Sequence, residues 1–426
     1  MKILIVGSGG REHALAWSFR RHDPLRKIYC ANGNAGIAAI AQCVDISPND
    51  IERLSDFASE KGIDLTFVGG ETALALGIVD RFEASGLRIV GPGQAAARLE
   101  ASKSFAKDFM DRHGIPTAAY VNAQTEEEAI HSLETWRFGS EVDPVVIKAD
   151  GLAAGKGVVV APDRAAGKSA VKKMFGGQIV SKDAVGSVVI EECLVGKEVS
   201  LLMFSDGEHF ALMPPTRDHK RIGEKDTGAN TGGMGTVTDA SLLSKEETEE
   251  IVKNIVMPTL SGARADGFPI KGVLFLGLMM TSSGPKVLEY NVRFGDPETQ
   301  AILANLDSDI LNICDAILSG TLEREVINWK EGSSACVILA AENYPKSPKQ
   351  GDRVLGLEQA NASEDVEVFH SGTAFGDNGE IVTSGGRVLG VTATASNLSN
   401  ALHRAYKAVN KISWNGMYFR RDIGRS

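Results

Sequence analysis

Cysteine is scarce in this sequence, and the five that occur, Cys30, Cys43, Cys193, Cys314 and Cys336, are odd in number with no close pair among them. That excludes a disulfide framework and a zinc site, and it fits a reduced, cytoplasmic setting. Long hydrophobic runs are missing too: no apolar stretch reaches the roughly 20 residues that cross a bilayer, so no membrane partner is expected. The opening Met1-Lys2-Ile3-Leu4-Ile5-Val6 stops at Gly7 with Arg11 close behind, and reads as a strand, not a signal segment. Positive charge is also in short supply. Lys and Arg number 45 against 55 Asp and Glu, a formal net charge of -10, which argues against a nucleic-acid partner because a polyanion requires a broad basic face. Local basic clusters are left to serve small anions.

What is present is an ordinary globular composition, 43% hydrophobic and 23% charged, over 426 residues. That length exceeds what one core organises and implies about three domains. Strand patterns at Lys2 to Val6, Ile28 to Ala31, Leu65 to Val68 and Leu87 to Val90 alternate with helical stretches such as Ile51 to Ser59, the pattern of a parallel sheet with ligands at its carboxyl edge. The first turn, Gly7-Ser8-Gly9-Gly10, begins like a dinucleotide fingerprint, but Glu12 replaces the third glycine and no acid closes the second strand. A nicotinamide site is therefore not expected. What survives is a helix N-terminus with free amides and Arg11 beside it, suited to a small phosphate, with a tight packing turn as the alternative.

Further along, Ala95 to His113 reads as one helix carrying Lys103 and Lys107, stopped by Gly114-Ile115-Pro116. Strands Val145 to Lys148 and Val158 to Val160 flank a glycine loop, Gly151 to Gly157, that contains Gly155 and Lys156. This is not a P-loop: three residues separate Gly151 from Gly155, glycine stands where the hydroxyl belongs, and β structure follows. It reads as a phosphate-cradling hairpin flap, or else as a surface hairpin. An apolar strand, Val188 to Leu194, ends in Glu191 and Glu192, with Glu198 beyond. The segment Pro214 to Thr238, with Arg217, Asp218, His219, Lys220, Arg221, Lys225 and Gly232-Gly233-Met234-Gly235, reads as a long binding or covering loop. Ser244 and Glu247 form a capping box for a helix reaching about Ala265.

The chemistry concentrates after the core strand Lys271 to Thr281, in Glu289-Tyr290-Asn291-Val292-Arg293-Phe294-Gly295-Asp296-Pro297-Glu298. Strand alternation puts Glu289, Asn291 and Arg293 on one face and Tyr290 and Val292 behind it. An acid and an amide beside a guanidinium suit a hard cation and phosphate oxygens; a solvated edge strand with a salt bridge is the bland alternative. After about Asn328 a smaller α+β unit follows, with strands Ala335 to Ala341, Val366 to His370 and Arg387 to Ala393 and a final helix near Leu398 to Val409. Its site-like segments, His370-Ser371-Gly372-Thr373 and Gly385-Gly386-Arg387, are explained equally well by turn chemistry.

In sequence order these pieces resemble the ATP-grasp ligases, and among them the glycinamide ribonucleotide synthetases. The resemblance rests on Gly7-x-Gly-Gly-Arg-Glu-His-Ala14, Lys148-Ala-Asp-Gly-Leu-Ala-Ala-Gly-Lys-Gly-Val158, His219-Lys-Arg-x-Gly-x-Lys-Asp-Thr-Gly-x-Asn-Thr-Gly-Gly-Met-Gly235, Arg293-Phe-Gly-Asp-Pro-Glu-Thr-Gln300 and Gly385-Gly-Arg-Val-Leu389, and covers nearly the whole chain. It implies a multidomain α/β and α+β fold. Residues 1–103 would form a Rossmann-like, parallel N-terminal α/β domain and 104–325 a two-part ATP-grasp domain with 121–187 as its mobile flap. Residues 326–426 would form the small C-terminal α+β domain.

The resemblance also implies an activity, the ADP-forming ligation of glycine to 5-phosphoribosylamine in purine biosynthesis, through a glycyl phosphate, by a cytoplasmic monomer whose partners are small molecules. Lys103, Lys148, Gly155, Lys156, Gly157, Glu191, Glu192, Leu194 and Glu198 would hold ATP, and Glu289 and Asn291 would hold Mg²⁺ or Mn²⁺. Arg293, Asp218 and Lys220 would act in catalysis, and Gly10, Arg11, Glu12, Glu71, Arg221, Asp296 and Glu298 would bind substrate. Two departures stand out: Val273 to Met280 lacks the additional metal-binding acid that many ATP-grasp enzymes carry, and Gly70 replaces the usual proline before Glu71. A related ligase using bicarbonate or formate, and a silent nucleotide sensor, are the competing readings.

Overall fold

A computed structural model describes residues 1–135, 138, 140–152, 157–179 and 186–425. The first sheet is wholly parallel, with its strands in the order Gln42–Val44, Lys27–Asn32, Lys2–Gly7, Leu65–Val68, Ile89–Val90. Ile3 to Val6 are buried without alternation, as expected of a central strand covered on both faces. This strand delivers the chain to Gly7, and the helix Gly10–His22 starts directly after the turn.

A second, antiparallel sheet orders Tyr120–Ala123, Val188–Glu192, Val145–Ala149 and Val158–Ala161. The last two strands form the expected hairpin around the glycine loop. Helices Glu126–Glu134 and Arg164–Phe175 pack over it, closing a small core of its own around Leu133, Val145, Ile147, Val171 and Val188. Ala153 to Lys156, the tip of the hairpin, lie outside the described residues, and with them Gly155 and Lys156.

The third sheet has nine strands. Its main path runs Gly284–Asn291, Lys271–Thr281, Lys197–Asp206, Thr216–Asp218, Gly235–Thr238, Ser333–Ala340, Arg387–Ala395, Val366–His370. The expected C-terminal unit is present, but its strands continue the central sheet through the pairing of Gly235–Thr238 with Ser333–Ala340. Two expectations need correction. The segment Pro214 to Thr238, read as one long binding or covering loop, is not a single loop: its ends are strands of this sheet, and the short hairpin Arg221–Gly223 with Thr227–Asn230 stands between them. The helix expected over Ala95 to His113 is two, Gln94–Ala101 and Lys103–Arg112, because Ser102 turns extended (φ -134°, ψ 113°) and its hydroxyl accepts the Phe105 amide to cap the second. That break places Lys103 at the first turn of a helix. The capping box at Ser244 forms as read, and its helix passes through a π-helical stretch, Val252–Val256, into Met257–Ala265.

Candidate active site

Strand Gly284–Asn291 carries Glu289 and Asn291, with Arg293 two residues past its end, and it does so over a bulge. Leu278 pairs with Val287 but Gly277 with Glu289, so Leu288 is the extra residue and its carbonyl is free of the ladder. That carbonyl accepts the Lys148 ammonium at 2.9 Å, which joins the bulged strand to the hairpin sheet. Glu289, Asn291 and Arg293 line the same cleft, while Tyr290, whose hydroxyl bonds Thr259, and Val292 are buried. The Arg293 guanidinium is held by Glu71 (3.2 Å), by Glu100 (2.7 Å) and by the Asn291 amide oxygen (3.2 Å). Glu71 follows Gly70, whose extended backbone (φ -99°, ψ 146°) uses none of glycine's positive-φ freedom but lies outside the φ range of the usual proline. Burial alone would raise the Glu71 carboxyl, yet Arg293 and Arg11 outweigh it and bring it down to about 2. Glu100, which also accepts the Val292 amide at 2.9 Å, is instead raised, because its burial exceeds what Arg293 returns. Sequence reasoning passed over Glu100, since a single acid on a surface-patterned helix gives no sign that a strand almost two hundred positions later meets it.

The opposite wall is cationic. Lys103 donates to the Gly151 carbonyl at 2.8 Å, and its own backbone amide donates to Asp150 at 2.6 Å. Asp150 also receives the hydroxyls of Ser102, Ser104 and Ser187, so one carboxylate ties the hairpin to the helix that presents Lys103. Beneath lies a buried chain: Lys148 and Lys107 stand 2.8 and 3.1 Å from Glu191, and Lys107 also donates to Thr117. Glu191 is 2% exposed and carries both ion pairs at the floor of the cleft. Gly157 lines the cleft as expected. Glu192 does not. Adjacent residues of a strand face opposite ways, and the Glu192 carboxylate is taken by the Ala119 amide and Lys286, both at 3.0 Å. Leu194 lies just past this strand, and Glu198 meets Lys220 at 3.5 Å.

Lys220 links the trio to a cluster of acids. It stands 3.8 Å from Glu289 and faces Asp218 and Glu298 as well, and these acids together outweigh its burial and raise its pKa. Gly233 occupies the closest approach: at φ +108°, a Cβ there would fall 2.6 Å from the Asp218 carboxylate and 2.7 Å from Pro297. Asp296 accepts Gln300 (2.9 Å), Arg387 (3.3 Å) and, more weakly, the Arg11 amide (3.4 Å). Arg387 also donates to the carbonyls of Gly232 and Asp296, a role for the Gly-Gly-Arg segment that the turn reading missed.

At the N-terminal turn, Arg11 donates to the Phe294 carbonyl at 3.0 Å and pairs with Glu12 at 2.7 Å. Glu12 is 2% exposed and accepts the Gly9 amide at 2.6 Å, while Cβ atoms on Gly7 or Gly69 would strike its side chain. Its carboxylate thus fills the space beneath the turn, the physical reason the dinucleotide pattern is absent. Gly10 abuts Gln300 and Ser371. Arg221 is not brought into this cluster: it lies in the outer hairpin, donating to the Gly228 carbonyl at 2.8 Å.

Models of phosphoribosylglycinamide synthetase match the chain in three successive pieces, the N domain over residues 1–100, the ATP-grasp (A) domain over 101–299 and the C domain over 334–426. The chain belongs to the phosphoribosylglycinamide synthetase family. Among relatives, the phosphoribosylamine–glycine ligase of Caldanaerobacter subterraneus subsp. tengcongensis is 45% identical over 424 residues, covering 99% of both chains. That of Caulobacter vibrioides is 46% identical over 425 residues, covering 100% of this chain and 98% of its own. The crystal structure of phosphoribosylamine–glycine ligase from Thermotoga maritima superposes with a TM-score of 0.85 at 33% identity, covering 99% of this chain and 100% of that one. The biotin carboxylase domain of Hydrogenobacter thermophilus 2-oxoglutarate carboxylase shares the fold alone, with a TM-score of 0.73 at 16% identity and coverage of 98% and 91%.

The family's ATP-grasp domain raises the question of a divalent ion, and the residues present fit one. Glu289 and Asn291 offer hard oxygen donors on one face. Burial alone would raise the Glu289 carboxyl, but Lys220, Lys148, Lys103 and Arg293 lower it, so it stays ionised. Among the described residues no group of three or more His, Cys, Asp or Glu could cage a metal. An ion here would therefore complete its shell with phosphate oxygens and water.

Proposed function

We infer that this chain joins glycine to 5-phosphoribosylamine, converting ATP to ADP and phosphate and yielding glycinamide ribonucleotide for purine biosynthesis. The observation that carries this reading is the opposed pair of walls, Glu289, Asn291 and Arg293 on one side and Lys103 and Lys148 on the other, within a chain that matches its family from end to end. The glycine carboxylate attacks the γ-phosphorus of ATP to give glycyl phosphate, and the amine of phosphoribosylamine displaces phosphate to form the amide. Such chemistry asks the protein for positioning and charge neutralisation. Lys103 and Lys148 would neutralise the triphosphate, and the Lys107–Glu191 pair supports Lys148 from beneath. Arg293, already oriented by two acids, meets the transferring phosphoryl group without reorganising, a contact worth about 3 kcal/mol in barrier. Glu289 and Asn291 would hold Mg²⁺ or Mn²⁺, which supplies Lewis-acid charge to the phosphate oxygens when bound. Arg11 and the amides at Gly9 and Gly10 suit the ribose phosphate.

The test is ADP release in the presence of phosphoribosylamine with glycine, bicarbonate or formate offered in turn. Release with glycine alone is expected; release with either other acid, or with none, would overturn the assignment.

A further inference from the structure

The carboxylates around the cleft are nearly all engaged. Glu71 and Glu100 hold Arg293, Glu191 holds Lys107 and Lys148, Asp296 is bound by Arg387 and Gln300, and Glu198 and Glu289 stand against Lys220. Glu298 differs. It is 5% exposed, and among the described residues no side chain and no backbone group of another residue bonds or ion-pairs to its carboxylate. An acid buried this deeply, with its own backbone amide as the hydrogen bond it accepts, is costly to keep unless it is put to use.

Its surroundings suggest that use. Oε2 folds back over Gly295, where a Cβ would stand 2.2 Å away, so the carboxylate sits under the turn between Arg293 and Asp296. Pro297, the residue before it, shares the Gly233 contact with Asp218. The groups facing Glu298 are Lys220 and Arg293 in its favour as an anion, Asp296 and Asp218 against it, and Arg387 behind Asp296 and Asp218. Burial dominates and raises both carboxyls, Asp218 furthest because Glu298 adds to its burial. The pair lies between the face that carries Glu289 and Arg293 and the turn that carries Gly10 and Arg11, linked to the first through Lys220 and to the second through Asp296. On the ligase reading, an amine anchored at the turn by its phosphate would meet an acyl phosphate formed at the trio in this interval.

We propose that Glu298, paired with Asp218, accepts the proton released by the amine of phosphoribosylamine as its nitrogen attacks glycyl phosphate. The inference rests on the ligase reading above. The amine lone pair forms the C–N bond, the C–O bond to phosphorus breaks, phosphate departs with that electron pair, and one N–H proton passes to the carboxylate pair. Nothing is oxidised or reduced. A carboxyl raised toward the working pH is a better acceptor than an ordinary one.

The experiment separates the two half-reactions in the full-length chain. Glycine-dependent exchange of the β,γ-bridging oxygen of ATP, measured without amine, reports acyl phosphate formation; amide formation is measured with amine. Glu298→Gln is expected to keep the exchange within about twofold and the KM for glycine unchanged, while amide formation falls by at least about 10²-fold. Loss of exchange together with ligation, or a raised KM for glycine, would place the pair on the glycine ammonium and overturn the proposal, as would undiminished ligation. Asp218→Asn and Glu298→Asp carry the same measurement if the first variant does not fold. Absence of glycine-dependent amide formation in the unaltered chain would instead refute the ligase reading itself.

Discussion

Arg293 shows why a catalytic role and a structural one are hard to separate at the level of single residues. Its guanidinium neutralises Glu71 and Glu100, and Glu100 is buried, so Arg293→Ala strands an acid as well as removing a phosphate contact. The expected outcome is loss of turnover together with roughly 3 kcal/mol of stability. Arg293→Ala with Glu100→Gln should recover most of the stability, seen as a restored Tm, and none of the glycine-dependent ADP release; recovered activity would remove Arg293 from the reaction. Lys107 gives a second prediction. Burial, only partly opposed by Glu191, lowers its pKa from 10.5 to about 8. Below pH 8 it is charged in both the folded and the unfolded chain, so its burial penalty is constant. Between about 8 and 10.5 the unfolded chain alone keeps the proton, so unfolding takes up protons and stability rises with pH. Thermal unfolding followed across this window should show the difference between the unaltered chain and Lys107→Met growing with pH; parallel curves would mean that Lys107 titrates normally. The trio at Glu289, Asn291 and Arg293 was legible because strand alternation is a local rule. Glu100 and Lys107 were not assigned their partners, because those partners lie far off in sequence and only packing brings them near.

Among the elements, the helix Lys103–Arg112 and the glycine hairpin are joined by a single acid. Asp150 accepts the Lys103 and Ser104 amides and three hydroxyls, so it acts as an N-terminal cap supplied from another sheet. Asp150→Ala should cost about 1 to 2 kcal/mol by the usual scale of caps. Because the cap also sets where Lys103 stands, the KM for ATP should rise several-fold while the KM for glycine holds. Equal changes in both constants would show that the cap acts on stability alone. The sequence read this region as one long helix because Ser102 is tolerable inside a helical pattern, and its capping role depends on the chain stopping there. The opposite error befell Pro214 to Thr238. Strands of three or four residues among glycines and charges carry almost no periodicity, and Thr216–Asp218 is a strand because Ser200 and Val237 lie beside it. The long apolar strand Lys271–Thr281 and the closing helix Leu398–Val409 were legible for the reverse reason, each having enough residues to state its period.

For the whole molecule, the continuous nine-stranded sheet decides how separable the parts are. Strand Ser333–Ala340 pairs with Gly235–Thr238 on one side and Arg387–Ala395 on the other, and all eight of its residues are buried. Ser334 donates to the Ala301 carbonyl at 2.7 Å, while Cys336 and Ile338 pack on Ala301, so the strand covers the helix Glu298–Asn305. That helix carries Glu298 at its start, and every residue of it is buried. Strand and helix patterns marked off a smaller α+β unit after about Asn328, and the pairing that joins it to the central sheet is not visible in the sequence. A chain ending at residue 325 would leave Gly235–Thr238 as an unpaired edge, uncover one face of that helix and release Gly232 and Asp296 from Arg387. Such a chain should aggregate on expression, and any soluble fraction should lack glycine-dependent ADP release. A soluble, monodisperse fragment with a cooperative thermal transition near that of the full chain would show that the sheet tolerates being cut there. The active-site acids would then be held from within the first 325 residues, and the links through Ser334 and Arg387 would be dispensable to them.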